Sequence, residues 1–359
     1  MILQTGMRTD IPAFYSEWFV NRLKEGYVYT RNPYNPSQVT KYLINPDVVD
    51  LIGFCTKNPA PMLKVMQECK VQLQAHEQAS FVAYSHTIPC EKDNLYPVNQ
   101  FGLSLPQAEL LVNSSYWFVT ITPYGKEIEP NVPDKEQVLD DFIRLSRIVG
   151  VHSCGWRYDP IFISETYTVE RHIAEFEHMA EKLAGYTHSC VISFIDLYEK
   201  TKRNFPEARR VSKEERLTLG KEMIRIGKKY DITIRPCAEG NELEIYGADC
   251  SGCVTKSIYE KALGGRLLIP KSVKSQRAEC ACVFGRDIGQ YNTCGHLCKY
   301  CYANADNELV RSNMKRHDLN SPFLIGNLQP DDVIHEVEQK RWRDDQMSIF
   351  DIIIDNKTQ

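Results

Sequence analysis

The sequence predicts an α/β fold: a TIM-like (β/α) barrel, which can be irregular or incomplete, with a C-terminal cysteine-rich extension. Up to about residue 235, short apolar segments alternate with longer amphipathic ones, which favours a parallel sheet with helical crossovers. The alternation supplies at least five strands, and this number suits a barrel better than a short open sheet.

The predicted elements follow from apolar spacing and from capping residues. Apolar runs predict strands within 1–5, 48–56, 116–125, 153–164, 189–198 and 232–240. Spacing near 3.6 predicts helices at 12–25, 135–150, 169–186 and 212–231. Thr9 or Asp10 can cap the first helix, and Ser212 with Glu215 forms a capping box at the last.

Two departures from the alternation suggest how the chain is divided. Residues 63–115 fit the rhythm poorly and are interpreted as an insertion, whereas the segments after about 250 become cysteine-bearing loops. We therefore predict a barrel at 1–245 with an insertion near 63–115. Residues 246–359 are predicted to form a cysteine-rich segment that packs on the barrel.

Composition restricts the partners and the compartment. The formal net charge is -4, so no basic field indicates nucleic acid, and no apolar run is long enough to cross a bilayer. The first residues lack the pattern of a signal peptide, and we expect a cytoplasmic protein without a membrane partner. Eight of the 13 cysteines lie between Cys237 and Cys301, a clustering that in a reducing compartment favours metal binding or redox chemistry over disulfides.

Polar side chains follow six successive predicted strands. In a barrel the strands' carboxyl ends form the active-site face, so these side chains are expected to meet in one polar mouth. Such a mouth can bind a small molecule carrying a phosphate, a carboxylate or a zwitterion, although nothing identifies the substrate. The catalytic candidates are Asp10, Lys57, Arg157, Asp159, Asp196 and Glu239.

The stretch CGHLCKYCYAN (294–304) carries the strongest indication of chemistry. Cys294, Cys298 and Cys301 are spaced C-x3-C-x2-C, so one turn supplies three soft thiolate ligands. Zinc sites usually use two separated C-x2-C pairs, whereas three thiolates from one turn favour a [4Fe–4S] cubane, each binding a different iron. Zinc remains the alternative metal.

This spacing, with Tyr300 before the last cysteine, resembles the cluster motif of radical S-adenosylmethionine (SAM) enzymes. The resemblance implies that three cysteines bind three irons, and that the fourth iron binds the amino and carboxylate groups of SAM. Reductive cleavage of SAM then yields a radical that abstracts hydrogen from the substrate, with electrons from a donor such as flavodoxin or ferredoxin. Tyr300 and Asn304 are the candidate cofactor-binding residues.

The wider sequence resembles a bacterial family catalogued as domain of unknown function 1848. The resemblance is carried by TDIPAFYSEWFVNR, FCTKNPAPML, WRYDPI, SFIDLY, DIGQYNTCGHLCKYCYAN and HDLNSPFLIG. It implies a barrel-like domain followed by a C-terminal cysteine cluster, with no established reaction.

The other late cysteines leave two functions open. Cys282 or Cys280 is a candidate fourth ligand, which would close the cluster and make it structural or electron-transferring. Alternatively, these two join Cys237 and Cys253 around a second cluster or a zinc ion, and Cys250 forms a C-x2-C pair with Cys253. A radical enzyme and a non-catalytic protein with a fully ligated cluster or structural zinc are thus both consistent with the sequence.

Overall fold

The computed structural model describes residues 1–86, 98–273 and 281–344. The strands are β1 (Ile2–Gln4), β2 (Tyr27–Arg31), β3 (Gln38–Leu43), β4 (Leu51–Thr56), β5 (Ser115–Thr120), β6 (Cys154–Ile161), β7 (Ser189–Phe194), β8 (Thr233–Pro236), β9 (Arg286–Asp287) and β10 (Val333–Glu336). The α-helices are α1 (Ile11–Phe14), α2 (Ser16–Glu25), α3 (Ala60–His86), α4 (Leu105–Val112), α5 (Lys135–Val149), α6 (Val169–Leu183), α7 (Glu199–Asn204), α8 (Lys213–Lys229), α9 (Lys256–Leu263) and α10 (Asn307–Lys315).

The centre of the molecule is a seven-stranded sheet in the order β8-β7-β6-β5-β4-β1-β9. Every neighbouring pair is parallel, and the chain passes between strands mainly through helices. The predicted α/β class with a parallel sheet is confirmed. All six residues of β5 are buried, as expected for a strand with helices on both faces of its sheet.

The sheet is not closed, so the predicted TIM-like barrel is replaced by an open parallel sheet. In the described ranges the edge strands β8 and β9 are not paired with each other. The backbone after β8 explains this, because Ala238, Gly240, Gly247 and Gly252 all have φ between 60° and 130°. These left-handed or related conformations are incompatible with a regular closing strand.

Irregular backbone bridges part of this opening. Asp249 N–H donates to Ile234 O of β8 at 2.9 Å, and Val283 N–H donates to Val254 O at 2.8 Å. Three residues after Val283, β9 begins and pairs with β1. We call the segments 249–254 and 281–284 the bridge, because they lie between the two edges of the sheet.

Most predicted helices are confirmed, but the one predicted at 12–25 is divided in two. Tyr15 has φ -135° and ψ 24°, which interrupts the helix between α1 and α2. Its hydroxyl donates to Thr293 O at 2.7 Å, so the interruption places Tyr15 against the start of the cysteine motif. The capping box of Ser212 and Glu215 forms at the start of α8 as predicted.

The stretch 63–115 contains most of α3 and all of α4, which precede β5 in the crossover from β4. Sequence reasoning did not identify the second sheet, in which β2 and β3 are antiparallel and β10 pairs parallel to β3. Both sheets therefore use strands from the last third of the chain. The division at 245/246 stays a prediction.

None of the described helices is long and apolar enough to cross a membrane.

Candidate functional site

Asp10 ties the end of β1 to two neighbouring segments. One carboxylate oxygen caps α1 by accepting from Ala13 N–H at 3.0 Å. The other accepts from Lys57 N–H and lies 2.8 Å from His296 Nε2. Asp10 and His296 are both buried, so this contact fixes the cysteine motif above the carboxyl ends of β1 and β4.

The motif turn is held by its backbone. The Asn131 side chain donates to Gly295 O at 2.7 Å, and Lys299 N–H donates to Ile128 O at 3.0 Å, both from the loop after β5. Leu297 has φ 57°, and Cys301 N–H donates to Cys298 O at 3.1 Å. The turn is thus a defined structure that presents its three cysteines together, and we call Cys294, Cys298 and Cys301 the motif thiols.

Burial raises the pKa of each motif thiol. For Cys294 the nearby charges of Asp10, Cys301 and Cys298 raise the pKa further. For Cys298 burial dominates over the opposing Lys57 charge, and the pKa rises to about 12. The charge of Cys301 acts on both Cys294 and Cys298 and raises the pKa of each.

Glu129 is the centre of a buried polar network beside the motif. It accepts from Lys57 Nζ at 2.9 Å and Thr122 Oγ1 at 2.7 Å, and also from Lys135 and the Tyr300 hydroxyl. Burial opposes ionisation, but the two lysines outweigh it and lower the pKa of Glu129 to about 2. An ionised carboxylate therefore connects the strand ends to the motif's aromatic residue.

Both predicted cofactor-binding residues lie at the motif. Tyr300 contacts Glu129, and Lys57 Nζ lies 5.5 Å from the centre of its ring. The Asn304 amide nitrogen donates to Cys294 O at 2.9 Å, whereas its amide oxygen is buried without a partner among the described residues. A buried acceptor that lacks a donor is costly unless a bound group supplies one.

Arg157 and Asp159, at the end of β6, form a second charged pair. Arg157 Nε donates to Asp159 Oδ2 at 3.2 Å, and Ser193 donates to the other oxygen. The guanidinium is influenced by Asp159 and by the thiols of Cys55, Cys253 and Cys237. These thiols belong to β4, to the segment after β8 and to the bridge, so the guanidinium of the pair interacts with thiols from three separate segments.

The remaining two catalytic candidates lie near β7 and β8. Asp196 is exposed and accepts from the Tyr198 hydroxyl at 3.0 Å. Glu239 accepts from Phe194 N–H at 2.8 Å and pairs with Arg216 at 3.3 Å, and burial raises its pKa. The Asp196 charge also acts on Glu239, so the two lie on one side of the polar face.

Three further cysteines converge at the bridge. Cys237 Sγ lies 3.9 Å from Cys253 Sγ, which lies 3.4 Å from Cys282 Sγ. We call these three residues the bridge thiols. Cys250, the other member of the predicted second site, lines the same small cavity. The structure thus places Cys282 beside the predicted second site, while Cys280 lies outside the described residues.

No group of three or more His, Cys, Asp or Glu in the described ranges is arranged to hold a single metal ion. A cubane places different demands on its ligands, because each thiolate binds its own iron. The donor set of the motif fits such a cluster: three soft thiols from one turn, with the Lys57 cation beside them.

Sequence reasoning missed Glu129, His296 and Cys55 as site residues. Glu129 is in a loop rather than at a strand end, and the sequence holds no signal for its contact with Lys57, which is 72 residues away. His296 lies inside the motif and could have been selected by its position alone. Cys55 is on β4, where the charges of Arg157, Asp10 and Lys57 act on its thiol.

Comparisons with known proteins give one match. The family model described as Domain of unknown function (DUF1848) matches residues 2–101 and 100–303. No curated protein matches the chain. No solved structure matches it.

Proposed function

The chain belongs to the DUF1848 family, and from the geometry of its cysteine motif we propose that it is an iron–sulfur protein. The motif thiols would hold three irons of a [4Fe–4S] cluster at the polar face of the sheet. The observation that carries this proposal is the anchored turn, on which three half-buried thiols lie within eight residues, with the Lys57 charge acting on two of them.

The chain's own residues would determine how the cluster is held. Metal-bound thiols are deprotonated, so loading the motif thiols releases protons that burial otherwise retains. Lys57 would offset part of the negative charge of the thiolates, and Glu129 holds Lys57 in position. Asp10 and His296 keep the turn against the ends of β1 and β4.

We propose further that one iron is open and that the protein is a radical SAM-like enzyme. The motif thiols would hold this cluster, which would supply a binding position for SAM and the electron for its reductive cleavage. The unpartnered amide oxygen of Asn304 supports an open site, since it is a buried acceptor beside Cys294 that a bound amino group can satisfy. The substrate would be a small molecule bound at the polar face.

The alternative is a cluster closed by a fourth cysteine, or a structural zinc ion, without SAM chemistry. Cys55 supports this alternative, because it is a half-buried thiol at the end of β4, on which the charges of Asp10 and Lys57 act. Cys282 supports it less, since its sulfur contacts Cys253.

Anaerobic reconstitution with iron and sulfide tests the proposal. We expect about four irons and four sulfides at the motif, lost in Cys298→Ala and retained in Cys69→Ala, a buried cysteine of α3. Zinc without acid-labile sulfide at the motif would contradict the cluster.

The SAM step is tested separately on reduced, reconstituted protein. We expect SAM to change the electron paramagnetic resonance spectrum and to be consumed, and Asn304→Ala to weaken SAM binding while the iron content stays constant. If SAM changes nothing, and Cys55→Ala breaks the cluster, the fully ligated alternative is correct.

A further inference from the structure

The bridge thiols come from three separate segments. Cys237 directly follows β8, Cys253 is in the first part of the bridge, and Cys282 is in the second. Cys253 is the common member, since its sulfur lies 3.9 Å from Cys237 Sγ and 3.4 Å from Cys282 Sγ. Cysteines that are buried only as small apolar residues do not need to face one another, so the proximity of these thiols indicates a further role.

Two of the sulfur separations are near those around a single tetrahedral ion. Zinc–sulfur bonds of about 2.3 Å in tetrahedral geometry place neighbouring sulfurs about 3.8 Å apart. The two observed separations lie on either side of that distance. A disulfide would need sulfurs about 2.05 Å apart, well inside both separations.

The cavity between these residues also favours one ion over a cluster. Its volume is about 10 Å³, room for roughly one water-sized species, and it is lined by the bridge thiols, Cys250 and Glu239 among others. Cys250 and Cys253 have the C-x2-C spacing that is common in structural zinc sites. Glu239 is already engaged by Phe194 N–H and Arg216, so Cys250 is the better fourth ligand.

A backbone donor and a cation lie near these sulfurs. Cys253 N–H donates to Cys282 Sγ at 3.2 Å, and the guanidinium of Arg157 acts on both Cys237 and Cys253. Backbone donors and a nearby cation lower the free energy of the charged sulfur that a metal requires.

We infer that Cys237, Cys250, Cys253 and Cys282 form a structural site for one thiophilic divalent cation, zinc by its chemistry, separate from the motif cluster. In the described ranges, no group of three or more candidate ligands already has the arrangement that a single ion needs. Binding would therefore rearrange the sulfurs of the other three cysteines around Cys253. The ion would then connect the end of β8 to both parts of the bridge, where the sheet itself is not closed.

The test uses the full-length chain in which the three motif thiols are replaced by alanine. In the triple variant Cys294→Ala/Cys298→Ala/Cys301→Ala, incubation with zinc followed by desalting should leave about one zinc ion per chain. Adding Cys253→Ser should abolish this zinc, whereas adding Cys69→Ala should not change it. Cobalt in place of zinc should give the absorption of a tetrahedral thiolate site, lost with the same variant. Absence of zinc, or zinc that is insensitive to Cys253→Ser, overturns the inference.

A second measurement needs no substitution and therefore holds even if the variants misfold. Thiols of the wild-type chain are alkylated with and without zinc, and the modified residues are identified by mass spectrometry. We expect zinc to protect Cys237, Cys250, Cys253 and Cys282 from alkylation. Equal labelling with and without zinc, or a disulfide between bridge thiols in chain purified with reductant, overturns the inference. Labelling is determined residue by residue, so failure here leaves the motif proposal intact.

Discussion

The motif thiols and the bridge thiols differ in how far apart their members lie along the chain. The motif thiols lie within eight residues, on a turn that neighbouring loops hold in place. The bridge thiols span residues 237 to 282, and only the folding of three segments against the open edge of the sheet brings them together. The first group is therefore indicated by a single spacing, whereas the sequence offers the second only as one of two alternatives, and the sulfur distances bring its members together.

The two groups also differ in their supporting charges. Beside the motif, Lys57 and Lys135 share the buried carboxylate of Glu129. At the bridge, Arg157 pairs with Asp159 and lies among the thiols. Changes at Glu129 should therefore affect the motif, and changes in the bridge should affect the closure between β8 and β9.

The largest expected effect comes from Glu129→Gln. This change leaves two partly buried ammonium groups without their carboxylate, which costs about 3–5 kcal/mol of unfolding free energy. Denaturant unfolding measures the loss. Glu136→Gln is the matched control, because Glu136 also pairs with two side chains, His178 and Lys182, but is exposed, and its loss should cost less than about 1 kcal/mol. Equal effects of the two changes would show that the network does not support the motif region.

Sequence predicted the first group because ligand spacing in one turn is a local property. It also predicted the parallel sheet, since β4 to β8 are short apolar runs separated by helices. It missed Glu129, whose role depends on Lys57 and Lys135 reaching it from other segments. The sequence also did not predict that the sheet stays open, because this depends on the backbone conformation of Ala238 and the glycines after β8.

The pH response of the fold itself should come from His172, which lies outside both groups. Burial lowers the pKa of this side chain to about 4, against an ordinary value of 6.5. As the pH falls, the unfolded chain therefore binds this proton before the folded chain does. The contribution of His172 to the free energy of unfolding is fully present above about pH 6.5 and is lost as the pH falls toward 4, by about 3 kcal/mol in total. Unfolding measured at several pH values in His172→Gln should lose this slope.

His178→Gln, an exposed change on the same helix, should keep the slope. Acid also protonates metal-bound thiolates. The pH dependence of unfolding due to His172 must therefore be known before a loss of stability in acid is assigned to the motif or the bridge. A wild-type stability that is flat between pH 6.5 and 4 would contradict the assignment to His172.

Gly285→Ala tests the bridge side of the comparison. A Cβ at this position would lie 1.8 Å from Ile2 O, so the backbone between Cys282 and β9 must move away from β1. We expect a cost of about 1–3 kcal/mol in denaturant unfolding and loss of zinc from the bridge thiols. Gly265→Ala, where the nearest atoms lie 3.5 Å away, should change neither. Unchanged stability of Gly285→Ala would show that the β1–β9 contact is not needed to hold the bridge in place.

The smallest of these effects, and the most specific to the motif, is expected for Asp10→Asn. The amide can still cap α1 with its oxygen, but its nitrogen would face the N–H of Lys57, which needs an acceptor. The loss of this bond, with the weakened contact to His296, should cost about 1–2 kcal/mol. Asp134 is the exposed cap of α5 and accepts one hydrogen bond, from Glu136 N–H, which the amide oxygen of asparagine can also accept. Asp134→Asn should therefore leave the free energy of unfolding almost unchanged. Asp10 joins the motif to the sheet, so Asp10→Asn should also lower the iron retained after anaerobic desalting, while zinc at the bridge thiols stays constant. An equal loss of both metals would mean that Asp10 supports the whole fold, and that the two thiol groups are not independent.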